Sequence, residues 1–426
     1  MTHEAAWRQA REQLKDISRT DILVGLPTFN DANTIEHVVK TAVEGLSRSF
    51  PQASVVIVNV DAGSQDGTPE VITNMVGEAM PAVSVQHLTS AISTNPFTLH
   101  RLSEAGVPGR EQAFQALFTI AAALETKACV ILDANIRSIR ADWMELLLHP
   151  VLEKKADFVA PLYSRPRYEG SLTNSLIYPL SRALYGKQLR WQTGGGYGFS
   201  GEVVSVYLNK DVWGGEVGRL AIDSWLPTVA VAEGCDVWQA YLGAKVQESK
   251  QSGIELASVL AQTVGAVFYF METYQHVWDH VTASTPVPTA GPVYELSGET
   301  MSMNIGRMIQ GFRQGVRDLL PIWEIILSPE TLTGVLALGL VEEEEFRFPV
   351  SLWVQTVYDF AVAYRAKVLH REHLLKSLAP LYLGLTASFV LETGGGRPED
   401  VEAAVETLCG TFERMKPYLI ERWRFQ

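Results

Sequence analysis

The residues of this chain best placed to do chemistry are carboxylates that follow short apolar runs. "LDAN" (132–135) ends one run with Asp133 and Asn135, "PTFND" (27–31) ends another with Asn30 and Asp31, and "DAGSQDGT" (61–68) opens on Asp61. A buried strand that ends in a carboxylate delivers a hard, anionic oxygen to the edge of a sheet, where it can hold a divalent cation or accept hydrogen bonds from hydroxyls. Three such ends point to a nucleotide and a cation held together. A plainer alternative stays open for each. Asn and Asp are favoured helix caps, so Asn30, Asp31 and Asp133 could simply start helices, and Gly67 with Thr68 could form a turn leading into one.

Strands and helices must position these groups. From residue 20 to about 245, β-branched runs alternate with helical periodicity, the pattern of parallel βαβ units. Strands are expected at 21–27, 54–61, 82–88, 128–133 and 156–162, with helices where Ile35, Val38, Val39, Ala42 and Leu46, and then Phe114, Leu117, Phe118 and Ala121, recur. In such sheets ligands bind beyond the carboxyl ends of the strands, where the acids fall. The expected fold is α/β, with a Rossmann-like, mostly parallel sheet. It comprises an N-terminal helix over 1–20, an α/β domain over 21–251 and a mainly helical region over 252–426. "TGGGYGFS" (193–200) and "ETGGGRPED" (392–400) read as glycine loops. The Pro-rich stretch 282–294 reads as an exposed connection or lid, and "EEEEF" (342–346) as a solvated helix face.

Composition excludes several classes. With 48 acids against 35 bases the net charge is −13, so nucleic acid and anionic membranes are not expected partners. Cys129, Cys235 and Cys409 are odd in number and set in apolar stretches, which predicts buried thiols in a reducing compartment. The polar, amphipathic start does not read as a signal peptide. The apolar runs near 256–271 and 377–391 fall short of the roughly 18 residues that span a bilayer. A soluble, cytoplasmic protein without stable membrane insertion is expected.

Taken in order, "PTFNDANTI", "DAGSQDGT" and "LDAN" resemble the nucleotide-sugar domain of GT-A glycosyltransferases. "GREQAF" (109–114), "APLYSRPRYEG" (160–170), "TGGGYGFSGE" (193–202), "AIDSWL" (221–226) and "YLGAKVQESK" (241–250) are similar to segments of the retaining synthases that make glucosyl- or mannosyl-(3-phospho)glycerate. The resemblance covers residues 20–270 or so. It implies a GT-A fold and a donor of the GDP- or UDP-glucose class, with glucose, or second mannose, transferred with retention. It implies that Pro27, Thr28, Phe29 and Asp31 line the base and ribose, and that Ala62, with Asp61 beside it, lies against the base. Arg110 would face the diphosphate, a role suited to a guanidinium fork. Asp133 would bind Mg²⁺ or Mn²⁺, and Asp223 would orient sugar or acceptor hydroxyls. Gly195 and Gly196 would let the backbone approach the sugar closely.

Two positions depart from the relatives' metal set, Asp133, Asn135 and Gln247. Asn135 stands in place of a second carboxylate and Gln247 in place of a histidine, so two of the three ligands are neutral amides. Glu272, His276 and His280 fall at helical spacing and offer a second metal set, for which a structural role is the stronger expectation. On the acceptor side the resemblance points to Arg165, Gly170, Ser171 and Thr173, with Arg165 or Arg167 meeting a carboxylate. Ser171 stands where phosphoglycerate-using relatives carry an arginine, so the expected acceptor is D-glycerate or a similar small hydroxy acid. A homodimer is expected. An inverting family-2-like transferase acting on a lipid or polysaccharide, and a catalytically impaired sugar-nucleotide-binding protein, remain as alternatives.

Overall fold

Continuous runs of β-branched and aliphatic residues, apolar on both faces, build the centre of the sheet. β1 (Ile22–Thr28), β2 (Val55–Asp61) and β4 (Ala128–Leu132) are buried at every position. The structure is a computed structural model that describes residues 17–77, 83–89, 110–190, 194–210, 213, 216–248, 255–292, 297 and 301–424. β3 (Val83–Thr89), β5 (Phe158–Ser164), β7 (Gly196–Ser200), β8 (Val237–Ala244) and β10 (Thr289–Ala290) complete an eight-stranded sheet in the order β10-β8-β5-β7-β4-β1-β2-β3. β7 runs antiparallel to β4 and β5, and every other pairing in this sheet is parallel. The chain steps outward from β1 through β2 to β3 and then returns to β4 on the other side of β1. This reversal opens a crevice at the carboxyl ends of β1 and β4. The expected α/β, mostly parallel sheet is what forms.

The helices that cover the sheet follow the apolar periodicity. α1 (Ile35–Ser49) buries Ile35, Val38, Val39, Ala42 and Leu46. α2 (Thr68–Gly77) follows β2, α3 (Arg110–Ala123) precedes β4, and α4 (Asp142–Leu152) follows β4. Later come α5 (Tyr178–Tyr185), α6 (Gly201–Leu208) and α7 (Glu216–Ala232). On one side, Ile22, Val24, Leu26, Val130 and Leu132 pack against α1 and α4 in a single apolar cluster. Aromatic rings from α3, β7, α6 and α7 fill another cluster, where Phe118 stacks on Tyr207 and meets Phe199 edge-on.

The remainder is helical: α8 (Leu256–Thr273), α9 (Gln275–Trp278), α10 (Ile305–Asp318), α11 (Leu320–Ile326), α12 (Pro329–Leu338), α13 (Val350–Ala366), α14 (Arg371–Lys376), α15 (Ala379–Thr393) and α16 (Pro398–Arg424). The two-residue strands β6 (Lys187–Gln188) and β9 (Thr285–Pro286) pair with each other.

The chain divides into two units; one crossing between them, at 252/253, lies one residue from the expected boundary at 251/252, while segments 165–190 and 287–294 interleave the two. The first holds Met1–Ser164, Trp191–Ser252 and Val287–Tyr294, and the second holds Arg165–Arg190, Gly253–Pro286 and Glu295–Gln426. Segment 165–190 joins the second unit because its partners lie there. The Trp353 indole donates to Ser175 O at 2.8 Å, Arg182 pairs with Glu406 and Glu413, and Tyr178 packs with Val405 and Cys409. The expected helix over 1–20 falls largely outside the described residues. Glu342–Glu345 are exposed as expected but form a turn rather than a helix face. Among the described residues, Leu256–Thr273 and Arg371–Thr393 are long and apolar enough to cross a membrane, against the expectation of shorter runs. Part of each packs inside the protein. The three cysteines are free thiols, and Cys129 and Cys409 are buried.

Candidate active site

The ends of β1 and β2 are stitched into one rim by side chains. Asp61, almost fully buried, accepts from the Gly63 and Ser64 amides at 2.9 and 2.8 Å and from the Thr28 and Ser64 hydroxyls at 2.9 and 2.5 Å. Asp66 accepts from the Ala32 amide at 3.0 Å, the Asp31 amide donates to the Thr68 hydroxyl at 2.8 Å, and the Asn30 amide donates to Ser64 Oγ at 2.8 Å. Asn30 sits at φ +56°, and its Oδ1 accepts from the Gln65 amide. Asp31 Oδ2 accepts from the Phe29 amide, and Asp31 O accepts from Thr34 and Ile35 as α1 begins. Asp31 thus stands where the chain turns from β1 toward α1, whose N-cap is Thr34.

Pro27 and Thr28 belong to buried β1, and the Thr28 hydroxyl is committed to Asp61 and Asn59. Of the expected base-lining set, half-buried Phe29 is more open than Pro27, Thr28 and Ala62. Asp61 spends its oxygens on the loop, so its place in this site is to hold Ala62 and Gly63 in shape.

At the end of β4 a charged cluster forms around Arg110, the first residue of α3. Its Nε and Nη2 donate to the two oxygens of Asp223 at 3.2 and 2.9 Å, and its Nη1 lies 2.5 Å from Asp133 Oδ1. The last contact is an ion pair without aligned hydrogen-bond geometry, which leaves Asp133 Oδ1 buried without a hydrogen bond. Arg110 is 6% exposed, Asp133 14% and Asp223 17%. The guanidinium also lies 5.1 Å from the centre of the Phe114 ring. Burial by itself would lower the Arg110 pKa, but Asp133 and Asp223 outweigh it and hold the group firmly protonated. Burial likewise works against ionised Asp133, yet Arg110, Lys245 and the Gly195 amide hold its carboxyl below the usual range.

The glycine segment closes the cluster. Gly195 N–H donates to Asp133 Oδ2 at 3.0 Å, and Asp133 N–H donates back to Gly195 O. Gly194 N–H donates to the Tyr197 hydroxyl at 2.8 Å, and that hydroxyl donates to Asp223 Oδ1 at 3.0 Å. Burial, reinforced by Asp223, pushes the Tyr197 pKa far up, so this hydroxyl stays a donor. Gly195 has φ +62°, and a Cβ there would lie 2.5 Å from Ile136 Cδ1 and 2.9 Å from the Tyr163 hydroxyl. Gly196, expected in a loop facing the sugar, is instead buried within β7 opposite Leu132. The strand needs glycine for packing: at Gly198 a Cβ would sit 2.2 Å from Leu147 O.

The expected metal set lies along one short stretch of rim. Glu248 N–H donates to Asn135 O at 2.9 Å, Asn135 Nδ2 donates to Glu248 O at 3.2 Å, and Ile136 forms a bridge with exposed Gln247. Asp133, with a buried Oδ1 lacking an aligned hydrogen bond, together with Asn135 near it in the chain and Gln247 brought beside Ile136 by the bridge, suits a hard cation at modest affinity. The second set does not assemble. The helix ends at Thr273 before α9 begins, and Glu272 pairs with Arg371 at 2.6 Å. Among the described residues no three of His, Cys, Asp and Glu gather as a metal cluster.

Tyr197 and Lys245 are the functional candidates that motif reading passed over. Tyr197 lies inside "GGGYG" but reads as a core residue, and Lys245 lies inside "GAKVQE", where attention falls on Gln247. The acceptor candidates Arg165, Gly170, Ser171 and Thr173 all lie in the second unit. Arg165 contacts Glu169 at 3.5 Å, Ser171 Oγ is hydrogen-bonded to the Tyr382 hydroxyl, and Thr173 opens the π-helical turn Thr173–Ile177.

Fold and site together define an α/β protein with a carboxylate–guanidinium cluster at the end of β4 and a hydrogen-bonded rim joining the ends of β1 and β2. No family model matches the chain, and no curated protein matches it. Among solved structures it is similar to glucosyl-3-phosphoglycerate synthase from Mycobacterium tuberculosis. The complex of that protein with Mn²⁺, UDP-glucose and phosphoglyceric acid is 18% identical, with 64% of this chain and 83% of that chain covered and a TM-score of 0.38. The complex with Mn²⁺, UDP and glucosyl-3-phosphoglycerate is 19% identical over 65% and 85%, with a TM-score of 0.38. A structure described as a mycobacterial protein is 20% identical over 65% and 79%, with a TM-score of 0.37. Activity does not follow from likeness at this distance, so function rests on this chain's own residues.

Proposed function

We propose that the chain is a GT-A-type glycosyltransferase that binds a nucleotide-diphosphate sugar at the carboxyl ends of β1, β2 and β4 and moves its hexose to a small hydroxy acid. The observation that carries this reading is the Arg110 cluster. A buried guanidinium between two carboxylates, next to a glycine segment and a strand-end rim, is a place for an anionic diphosphate and a polyhydroxyl group. Ligand binding would exchange the carboxylate partners of Arg110 for phosphate oxygens, while Lys245 adds positive potential near Asp133. Asp223, oriented by Tyr197, would then accept hydrogen bonds from sugar or acceptor hydroxyls. Phe29 and Ala62 would border the base.

Asp133, with Asn135 and Gln247, would hold Mg²⁺ or Mn²⁺, which when bound neutralises charge on the departing nucleotide diphosphate. Retention, glucose as the sugar and a GDP or UDP donor follow the sequence resemblance. Ser171 in place of an arginine supports D-glycerate over 3-phosphoglycerate as acceptor, because a hydroxyl neutralises no charge.

Calorimetry with UDP-glucose and GDP-glucose, with and without Mg²⁺ or Mn²⁺, followed by product analysis with D-glycerate, tests the reading. Binding of one donor and formation of a hexosyl-glycerate are expected. Binding without transfer to any small acceptor would favour a non-catalytic sugar-nucleotide-binding protein, and no binding would end the proposal.

A further inference from the structure

Asp223, in the first unit, is held by two donors that differ in freedom. Arg110 reaches it with Nε and Nη2 at 3.2 and 2.9 Å, and the Tyr197 hydroxyl donates to Oδ1 at 3.0 Å. Arg110 is a long, rotamer-rich side chain at the start of α3, and it already divides its guanidinium between Asp223 and Asp133. Tyr197 is fully buried in β7, where its backbone pairs with Ile131 of β4. Its ring lies nearly parallel to that of Phe158, 5.9 Å between centres, and edge-on to that of Phe114 at 6.5 Å. Packed between these rings in a close-packed interior, it holds its place while Arg110 can turn. Gly194 N–H donates to the hydroxyl oxygen at 2.8 Å, and the hydroxyl's single proton goes to Asp223.

We propose that Tyr197 is a positioning residue. When Arg110 turns to a diphosphate, Tyr197 keeps Asp223 Oδ1 in place, and Oδ2, which Arg110 Nε had occupied, is left aimed at a hydroxyl of the bound hexose. Without the phenol oxygen, a carboxylate that gives up its guanidinium is both largely buried and unanchored, and it rotates away from the orientation a hexose hydroxyl needs. The assignment deepens the transferase reading and rests on it for the ligand.

Tyr197→Phe removes the oxygen and keeps the ring. Calorimetry on the full chain would compare UDP with UDP-glucose, and GDP with GDP-glucose, for the unsubstituted protein, Tyr197→Phe, Asp223→Asn and the double variant, each checked for folding by urea unfolding. Tyr197→Phe should weaken nucleotide-sugar binding by about five- to tenfold while affinity for the free nucleoside diphosphate stays within about twofold. The double variant should lose no more than Asp223→Asn alone, since the hydroxyl acts through that carboxylate. An equal loss for nucleotide and nucleotide sugar, as a general loosening of the site would give, or additive losses in the double variant, would overturn the assignment. If Tyr197→Phe does not fold, meta-fluorotyrosine at position 197 keeps both ring and hydroxyl. Its fluorine resonance should differ between the nucleotide and nucleotide-sugar complexes, and identical resonances would overturn the assignment. The selective loss without transfer to any small acceptor would support it while removing the transferase reading. No nucleotide-sugar binding by the unsubstituted protein would overturn both.

Discussion

Arg110 carries more of the site than any other single residue, and its substitutions separate electrostatics from shape. Arg110→Met leaves Asp133 and Asp223 buried without their cation, which should cost about 3–5 kcal/mol of stability, measurable by urea unfolding. Arg110→Lys keeps the charge but loses the planar fork on Asp223. It should fold, yet lose about a hundredfold in kcat/KM for the nucleotide sugar. Asp133 supplies a pH test. Its folded pKa lies below the unfolded value of about 3.9, so its stabilising contribution is fully present above that value and is lost as the pH falls toward the folded one. Asp133→Asn should flatten the acid side of a stability–pH curve below pH ~4, and an unchanged slope there would contradict the ion pair.

At the scale of elements, the site is made by segments that leave strands rather than by the strands themselves. Gly195→Ala would force a side chain into a left-handed backbone position and into contact with Ile136 and Tyr163. A loss of about 1–3 kcal/mol in thermal or urea unfolding is expected, and wild-type stability would show that the segment relaxes freely. Asp61→Ala should unfasten the rim between β1 and β2, raising the KM for the nucleotide sugar along with a stability loss of about 1–3 kcal/mol. Strands β1 to β5 were legible in the sequence within a residue or two, because each is rich in β-branched or aliphatic residues, even though Asn59 interrupts β2 and Ser84, Gln86 and His87 interrupt β3. β7 was not legible. "GYGFS" carries glycines that read as a loop, whereas they are there to let α4 approach an antiparallel strand inside the sheet.

For the molecule as a whole, the chain crosses between its units at 164/165, 190/191, 252/253, 286/287 and 294/295. A fragment ending at 251 would keep segment 165–190 while losing Trp353, Glu402, Glu406 and Glu413, its partners, and would also lose β10. It should be insoluble or aggregated, and a monodisperse fragment by size-exclusion chromatography with a cooperative melt would refute the division. In the second unit, Lys416 donates to Val281 O, Ala183 O and Leu184 O from a buried position, and burial lowers its pKa from 10.5 to about 8. Between these values the unfolded chain binds more protons than the folded one, so this group makes stability rise with pH from about 8 to 10.5. Lys416→Met should remove that rise from a stability–pH series.

The amino-acid sequence by itself determined the alternation of strands and helices, the sheet's parallel character and the placing of acids at strand ends, because apolar periodicity and polar terminators are local properties. It also brought Asp133, Arg110 and Asp223 forward through motif resemblance. Only the tertiary structure decided that these three share one buried ion-pair cluster, that Tyr197 and Gly195 lock it, and that Ser171 answers to Tyr382. Those facts depend on which distant segments the packing of a common core brings within about 3 Å, and no single stretch of sequence carries that information.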